Sequence, residues 1–139
     1  MRVYAGATEA ELASALSAVG DATGAIDLRA PETGLVMLRG RIGGDGAPFN
    51  VGEATVTRAV VQLKSGEVGY GFLLGRSAAK ARSAATLDAL AQTSQAARNA
   101  IEAALITPIT KRMAREAAEA QAKTASTKVD FFTLVRGED

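Results

Sequence analysis

The sequence contains no cysteine, no histidine and no tryptophan, and only 4% of its 139 residues are aromatic. Without cysteine, the chain has no disulfide, no thiolate nucleophile and no thiolate ligand for zinc or an iron–sulfur cluster. Without histidine, it has no imidazole metal ligand and no side chain whose ordinary pKa lies near neutral pH. So few aromatic rings also argue against a stacking surface for single-stranded nucleic acid. Composition therefore favours a binding or structural subunit that binds no metal over an enzyme that works alone.

Charge of one sign and long apolar runs are also lacking. The 16 basic and 15 acidic side chains give a net charge of +1, which carries no signal for a polyanionic partner such as nucleic acid. No stretch approaches the roughly 20 apolar residues of a membrane span, and no signal-peptide core follows the N-terminus. The hydrophobic content of 47% is that of a globular chain. The sequence thus predicts a single cytoplasmic domain over residues 1–139, with no membrane partner.

The amino-terminal two-thirds of the chain predicts one short helix and then a sheet. Thr8 and Glu11 have the spacing of a capping box, and helical periodicity continues to Gly20. From about 24 to 75, alternating apolar and β-branched residues predict about four strands. Clusters of turn residues are expected to separate these strands at 31–34, 43–48 and 64–67. Short turns between successive strands predict an antiparallel meander.

The predicted strand at 68–74 has two unlike faces. Tyr70 and Phe72 share one face, whereas Gly69 and Gly71 lie on the other. A face made of glycine lets another backbone approach closely. Two explanations are open: a helix of the same chain packs there, or a partner chain or ligand does.

Residues 77–125 are rich in alanine and predict helices. Ser77 is a candidate N-cap, and apolar residues recur at helical spacing as far as Leu105. Pro108 is expected to interrupt this helix, because its ring and its missing N–H do not fit a helix interior. A second, polar helix is then expected from 108 to 125. The predicted class is therefore α+β, with the sheet packed against the N-terminal and the alanine-rich helices.

The carboxyl-terminal segment at 128–136 predicts a strand that is apolar on both faces. Such a strand requires burial on both sides. A central position in this chain's own sheet and insertion against a partner chain both satisfy that requirement. The candidate partner-interface residues are Phe131, Phe132, Leu134, Val135 and Arg136.

Three arginines form the candidate phosphate-binding group. Arg39 and Arg41 are two residues apart and share a strand face, and Arg58 in the next strand joins them if the register allows. Guanidinium groups suit phosphate or an acidic partner surface. A solvated face with nearby carboxylates is the alternative. No catalytic residue is predicted, because no two carboxylates stand out by their spacing among Glu32, Glu53, Asp88 and Asp130.

Two further segments, one rich in glycine and one basic, are also candidates for a phosphate site. The glycine-rich stretch 40–46 lacks the Gly-Lys-Ser/Thr ending of a P-loop and is interpreted as a hairpin turn. Arg76, Lys80 and Arg82 cluster at the start of a predicted helix, where cations are unfavourable. Surface solvation is the simpler explanation for these three side chains.

Three segments resemble the PhnG family of phosphonate-metabolism proteins. They read ETGLV at 32–36, RIGGDGAPFNVGEATVTRA at 41–59 and KVDFFTLVRG at 128–137. The resemblance extends over nearly the whole chain from Thr8 onward. In the family, an additional helical stretch often precedes this region, so the resemblance implies a comparatively short N-terminus here.

The resemblance implies a subunit of the bacterial carbon–phosphorus lyase system. Its expected partners are the PhnH, PhnI, PhnJ and PhnL subunits. With PhnH, PhnI and PhnL, PhnG is expected to support replacement of the adenine of ATP by an alkylphosphonate. The implied product is a ribose 1-phosphonate 5-triphosphate, and the iron–sulfur subunit PhnJ later cleaves the carbon–phosphorus bond. ATP with magnesium is thus a substrate of the complex, and this chain is expected to bind no cofactor itself.

Two interpretations of function follow. In the first, the chain is a non-catalytic subunit of the phosphonate transferase that positions a catalytic neighbour, expected to be the PhnI-type subunit, and self-associates when isolated. In the alternative, it is a free-standing binding or structural module that holds a phosphate-bearing ligand with Arg39, Arg41 and Arg58. The near-zero net charge argues against the alternative.

Overall fold

The computed structural model describes residues 1–20, 24–43 and 45–127. Its elements, in chain order, are α1 (Arg2–Gly6), α2 (Glu9–Val19), β1 (Ile26–Arg41), β2 (Pro48–Gln62), β3 (Val68–Leu74), α3 (Ala78–Thr93), α4 (Gln95–Ile101), a π-helical segment (Glu102–Ile106) and α5 (Thr107–Ser126). The described strands form one antiparallel sheet in the order β1-β2-β3, and helices pack on one face of it. The predicted α+β class is confirmed, with three strands in the meander instead of about four.

The predicted turn at 31–34 is wrong, and this accounts for the missing strand. Pro31 and Gly34 lie inside β1, which runs on past them. The pairing of β1 with β2 shifts register between Asp27 and Arg29 and again between Arg29 and Glu32. Proline is tolerated on an edge strand and at a bulge, where no ladder hydrogen bond needs its N–H. Because β1 is an edge strand, the chain absorbs the proline as an irregularity and does not reverse direction.

The glycine face of β3 is covered by a helix of the same chain, which confirms the first of the two explanations. A Cβ added at Gly71 would collide with the backbone carbonyl of Ala81, and one at Gly69 with that of Ala85. Glycine therefore sets the distance at which α3 lies against the sheet. The core between them is built from small and branched side chains, among them Ala59, Val61, Leu73, Ala81, Ala85 and Leu87.

The hairpin of β1 and β2 extends beyond the three-stranded part of the sheet. In the described sheet, strand β3 pairs with Val56 to Gln62 of β2. The remaining parts of the hairpin, residues 35–41 and 48–55, pair with each other and with no other described strand. We call this two-stranded extension the arm. An isolated two-stranded hairpin is marginal in water, so the arm depends on the body of the sheet or on other contacts.

The alanine-rich region differs from the prediction at two points. Helix α3 ends at Ser94, whose side chain accepts a hydrogen bond from the Ala97 N–H and so caps α4. The predicted second helix is confirmed, since α5 begins at Thr107, but the chain stays helical across the boundary before Pro108. The π-helical turn at Glu102–Ile106 immediately precedes α5, which carries Pro108 in its first turn. A π turn widens the helix and thereby accommodates a residue that cannot donate to the preceding turn.

The amino-terminal helices cover the edge of the core. The predicted capping box is present, since Thr8 and Glu11 exchange side-chain hydrogen bonds with each other's backbone N–H. Arg112 of α5 links to this turn through the Gly6 carbonyl and the Glu11 carboxylate. No helix in the described ranges is long and apolar enough to cross a membrane. The strand predicted at 128–136 lies outside the described residues.

Candidate functional site

Among the described residues, helices pack on one face of the sheet and not on the other, which we call the outer face. Alternation puts Tyr70, Phe72 and Leu74 of β3 on the outer face, because Gly69 and Gly71 between them contact α3. Their cross-strand partners in β2 are Val60, Arg58 and Val56 in turn. Directly paired residues share a face, so these positions belong to the outer face too. The outer face continues along the arm through Leu38 and Phe49.

Large apolar side chains are exposed along much of this face, although Val56 of β2 is buried. Six of them have between 44% and 70% of their surface accessible. They are Ile26, Leu38, Phe49, Tyr70, Phe72 and Leu74. Single exposed hydrophobic residues are ordinary, but a contiguous set marks a surface for interaction.

An ionic group of three side chains spans β1 and β2 on the outer face, with Arg58 on the central strand. Glu32 of β1 is directly opposite Arg58 of β2 and receives a short hydrogen bond from the Arg58 Nε. The Arg29 Nε lies 3.1 Å from the same carboxylate oxygen. We call Arg29, Glu32 and Arg58 the ion trio. Both guanidinium groups pair with the same carboxylate, so the trio carries one net positive charge.

The structure does not bring the three predicted phosphate-binding arginines together. Arg58 is level with Glu32, seven residues along β1 from Arg39, which corresponds to about 23 Å. Alternation along β1 also places Arg39 and Arg41 on the side opposite Glu32 and Arg58. The register therefore separates Arg58 from the other two in both distance and face. A phosphate-binding role for any of them stays a prediction.

The glycine-rich stretch at 40–46 connects β1 to β2 as a hairpin turn, as the sequence predicts. The Arg41 Nη1 donates to the Gly46 carbonyl at 2.9 Å, and the Gly46 N–H donates to the Ile42 carbonyl at 3.2 Å. One of the two arm arginines therefore stabilises the turn in this chain. Arg39 lies opposite Asn50 near the end of the arm.

The candidate carboxylates are scattered. Asp88 of α3 accepts a hydrogen bond from the Tyr70 N–H, and Glu32 belongs to the ion trio. Glu53 is opposite Met37 in the arm, and Asp130 lies outside the described residues. In the described ranges, no three acidic side chains are grouped so as to hold a metal ion.

The basic cluster at the start of α3 makes contacts within the chain. The Lys80 Nζ donates to the Ala5 carbonyl at 2.9 Å. Arg82 donates to the Asp27 carboxylate at 2.8 Å and to the Ala25 carbonyl at 3.2 Å. These side chains fasten α3 to α1 and to the beginning of β1, which accounts for their presence without a phosphate.

Perturbed ionisable groups lie away from the outer face. Burial, together with the negative charges of Asp88 and Glu102, raises the pKa of Tyr4 to about 12. The Thr8 backbone N–H lowers the pKa of Glu11, and a hydrogen bond from the Ser65 hydroxyl lowers that of Glu67. Shifted pKa values mark active sites when they gather in a cleft. These groups are separated and explained by local contacts, so they do not form a general acid–base pair.

The predicted partner interface, residues 131–136, lies outside the described residues. The outer face was not singled out from the sequence as a binding surface. Its signal was present in the alternation of large residues with glycine at 68–74. That alternation separates two faces but does not say which of them the helices cover.

Comparisons with known proteins agree on one family. The family model described as phosphonate metabolism protein PhnG matches residues 1–137. A protein of Rhizobium meliloti (strain 1021), named alpha-D-ribose 1-methylphosphonate 5-triphosphate synthase subunit PhnG, is 52% identical over 139 residues. The alignment covers 100% of this chain and 88% of that relative.

Proposed function

Since the chain belongs to the PhnG family of phosphonate-metabolism proteins, we propose that it is a subunit of an alpha-D-ribose 1-methylphosphonate 5-triphosphate synthase. The observation that carries this proposal is the 52% identity over the full length of the chain to a protein named as that subunit. The match includes the arm, the sheet and the alanine-rich helices alike. It therefore concerns the whole folded unit and not one shared motif.

The proposed reaction of the complex is a transfer at the ribose of ATP. A phosphonate oxygen forms a bond to C1′ while the bond from C1′ to N9 of adenine breaks, which releases adenine and leaves the triphosphate in place. ATP with magnesium is the substrate of the complex in this proposal. The described residues offer scattered carboxylates, arginines and hydroxyls and no assembled acid–base pair. This chain accordingly acts by assembly and positioning, and a neighbouring subunit makes and breaks the bonds.

The proposed partners are the subunits of the PhnH, PhnI, PhnJ and PhnL types, in the cytoplasm. The predicted two-sided apolar segment at 128–136 is one proposed contact with them, through Phe131, Phe132, Leu134, Val135 and Arg136. An obligate complex supplies the apolar surface that such a segment requires. Without its partners, the chain is expected to self-associate.

The experiment that tests this function is reconstitution. The purified synthase subunits are assembled with and without this chain and supplied with ATP, magnesium and methylphosphonate. Release of adenine and formation of the ribose 1-phosphonate triphosphate are expected only when the chain is present, and no turnover is expected from the chain alone. Full activity without it, or turnover by the chain alone, contradicts the proposal.

A direct binding measurement separates the alternative, a free-standing module. Such a module would bind triphosphate as an isolated monomer, with strong dependence on salt. A stable monomer in light scattering, together with such binding and no association with the other subunits, would favour the alternative.

A further inference from the structure

We infer that the outer face docks on a different protein chain of the synthase, one that presents an apolar surface with a carboxylate near its centre. This inference rests on the proposed function and adds a contact surface within residues 26–74. It is separate from the segment at 128–136. Three properties of the face carry it: its area, its apolar character and the charge of the ion trio.

The area is that of an interface. Strand β3 has seven residues, and three such strands side by side span roughly 330 Å² in projection at about 3.3 Å per residue and about 4.8 Å between strands. The outer side of the arm adds roughly 220 Å². Together the two areas come to roughly 550 Å² in projection, with charged and polar side chains included. A stable interface buries about 800 Å² of accessible surface per partner. Because side chains project from the sheet, the accessible surface of the outer face is larger than its flat projection and approaches that size.

Apolar side chains flank Arg58 on the β3 side. Along β3, Phe72 is opposite Arg58, with Tyr70 and Leu74 on either side. Tyr70 is 58% exposed and Leu74 is 70% exposed. When a matching surface covers these side chains, it excludes water from the neighbouring charges and strengthens any charge pairing with Arg58.

The charge at the centre distinguishes a different chain from a second copy. In a two-fold dimer the same patch lies on both sides of the interface, so a centred contact brings two net-positive trios together. Removing like charges from water against each other is costly. A partner that presents a carboxylate instead makes the trio neutral, with each guanidinium group paired. Charge complementarity thus favours a different chain with an acidic centre.

The main test compares two identical substitutions on opposite sides of the hairpin. Leu74→Ser changes the outer face, and Leu35→Ser changes the other side of the arm, where the leucine is 62% exposed. Full-length variants are mixed with the purified remaining synthase subunits, and affinity is measured by biolayer interferometry. We expect Leu74→Ser to weaken assembly more than tenfold and Leu35→Ser to leave it within about twofold. Circular dichroism checks that both variants fold.

A second comparison tests the charge. Arg58→Glu makes the trio net negative, whereas Arg115→Glu reverses an arginine of α5 that is 72% exposed and pairs with Glu119 at 3.6 Å. We expect only Arg58→Glu to weaken assembly, by at least tenfold at low salt and less at high salt. Arg58→Lys, which keeps the charge, is expected to restore most of the affinity.

Each result bears on a different statement. Normal assembly of both Leu74→Ser and Arg58→Glu overturns the docking surface and leaves the proposed function intact. Failure of the wild-type chain to join the other subunits overturns both. A wild-type dimer in light scattering that Leu74→Ser dissociates identifies a second copy as the occupant and contradicts the inference. If deleting residues 128–139 from the isolated chain exposes Tyr70 to iodination, the chain's own terminus is the occupant, which also contradicts it.

Discussion

The Asp88 carboxylate accepts a hydrogen bond from the backbone N–H of Tyr70 at 3.0 Å. This contact joins α3 to the edge of β3 away from β2, which no other described strand pairs with. The Gln92 side-chain amide donates to the Val68 carbonyl on the same edge at 2.9 Å. Unpaired strand edges invite pairing with other chains. The helix that packs on the sheet therefore also supplies side chains that occupy part of one of its edges.

Replacing Asp88 tests this contact. Asp88→Ala leaves the Tyr70 N–H without its acceptor and is expected to lower the free energy of unfolding by about 1 kcal/mol. Asp88→Asn keeps a carbonyl oxygen at the same place and is expected to cost less. Urea denaturation measures both changes. Equal losses for the two variants would contradict the assigned role of the acceptor.

Gly71→Ala tests how closely α3 packs on the sheet. The added Cβ meets the Ala81 carbonyl, which is backbone and cannot turn aside. We expect a loss of about 2–3 kcal/mol in the free energy of unfolding, because the helix must move off the sheet. Gly34→Ala in β1 is the matched control, since an added Cβ there has nothing within 4 Å. Similar stability of the two variants in thermal denaturation would contradict this packing.

The capping box predicts how stability changes with acid. The Thr8 backbone N–H, its hydroxyl and Arg112 favour the ionised form of Glu11 and lower the pKa of its carboxyl in the folded state. The stabilisation that ionised Glu11 contributes to the fold is therefore fully present above the ordinary glutamate pKa, about 4.3. It is lost as pH falls from there through the lowered pKa of the folded state. Glu11→Gln is expected to reduce the difference in stability between pH 7 and pH 3. Urea unfolding across this range measures the effect, and unchanged pH dependence would contradict it.

The buried Tyr4 hydroxyl predicts how the stability of the fold changes at alkaline pH. Burial raises the pKa of Tyr4 to about 12 in the folded chain, whereas an unfolded tyrosine titrates near 10. The stabilisation is complete below about pH 10 and declines above it, because the unfolded state loses its proton first. Between pH 10 and pH 11 the free energy of unfolding should therefore fall for the wild type and stay nearly constant for Tyr4→Phe. The difference between the two proteins at pH 8 is the reference. Parallel curves for the two proteins would show that the hydroxyl is not the group responsible.

The arginines give a prediction in the assembled synthase. If Arg39 and Arg41 contact a triphosphate held by a neighbouring subunit, replacing either with alanine should weaken nucleotide binding several-fold. Because Arg58 lies on the other face about 23 Å away, Arg58→Ala is expected to change nucleotide affinity less than assembly. Calorimetry with ATP on the complete complex separates the two effects. Unchanged affinity in both arm variants would remove them from the substrate site.

Local chemistry made much of the fold predictable. The capping box of α2, the glycine-rich hairpin turn and the two-faced strand β3 all follow from residue type and spacing over a few positions. The strand count failed where packing overrode a local signal. Pro31 lies within a bulged edge strand and does not end it. Pro108 lies in the first turn of α5 as predicted, but a π turn keeps the chain helical before it. Such accommodation depends on neighbouring elements that a short window of sequence does not include.

The sequence by itself determined which chemistry this protein lacks, because thiolate and imidazole groups are absent from the chain whatever its fold. It also determined the family resemblance, carried by residues that are adjacent along the chain. Only the tertiary structure decided that Arg58 pairs with Glu32 and lies far from Arg39, and that Tyr70, Phe72 and Leu74 face away from the helices. The physical reason is register and layer order: both are set by contacts between residues distant in sequence, so spacing alone leaves them open.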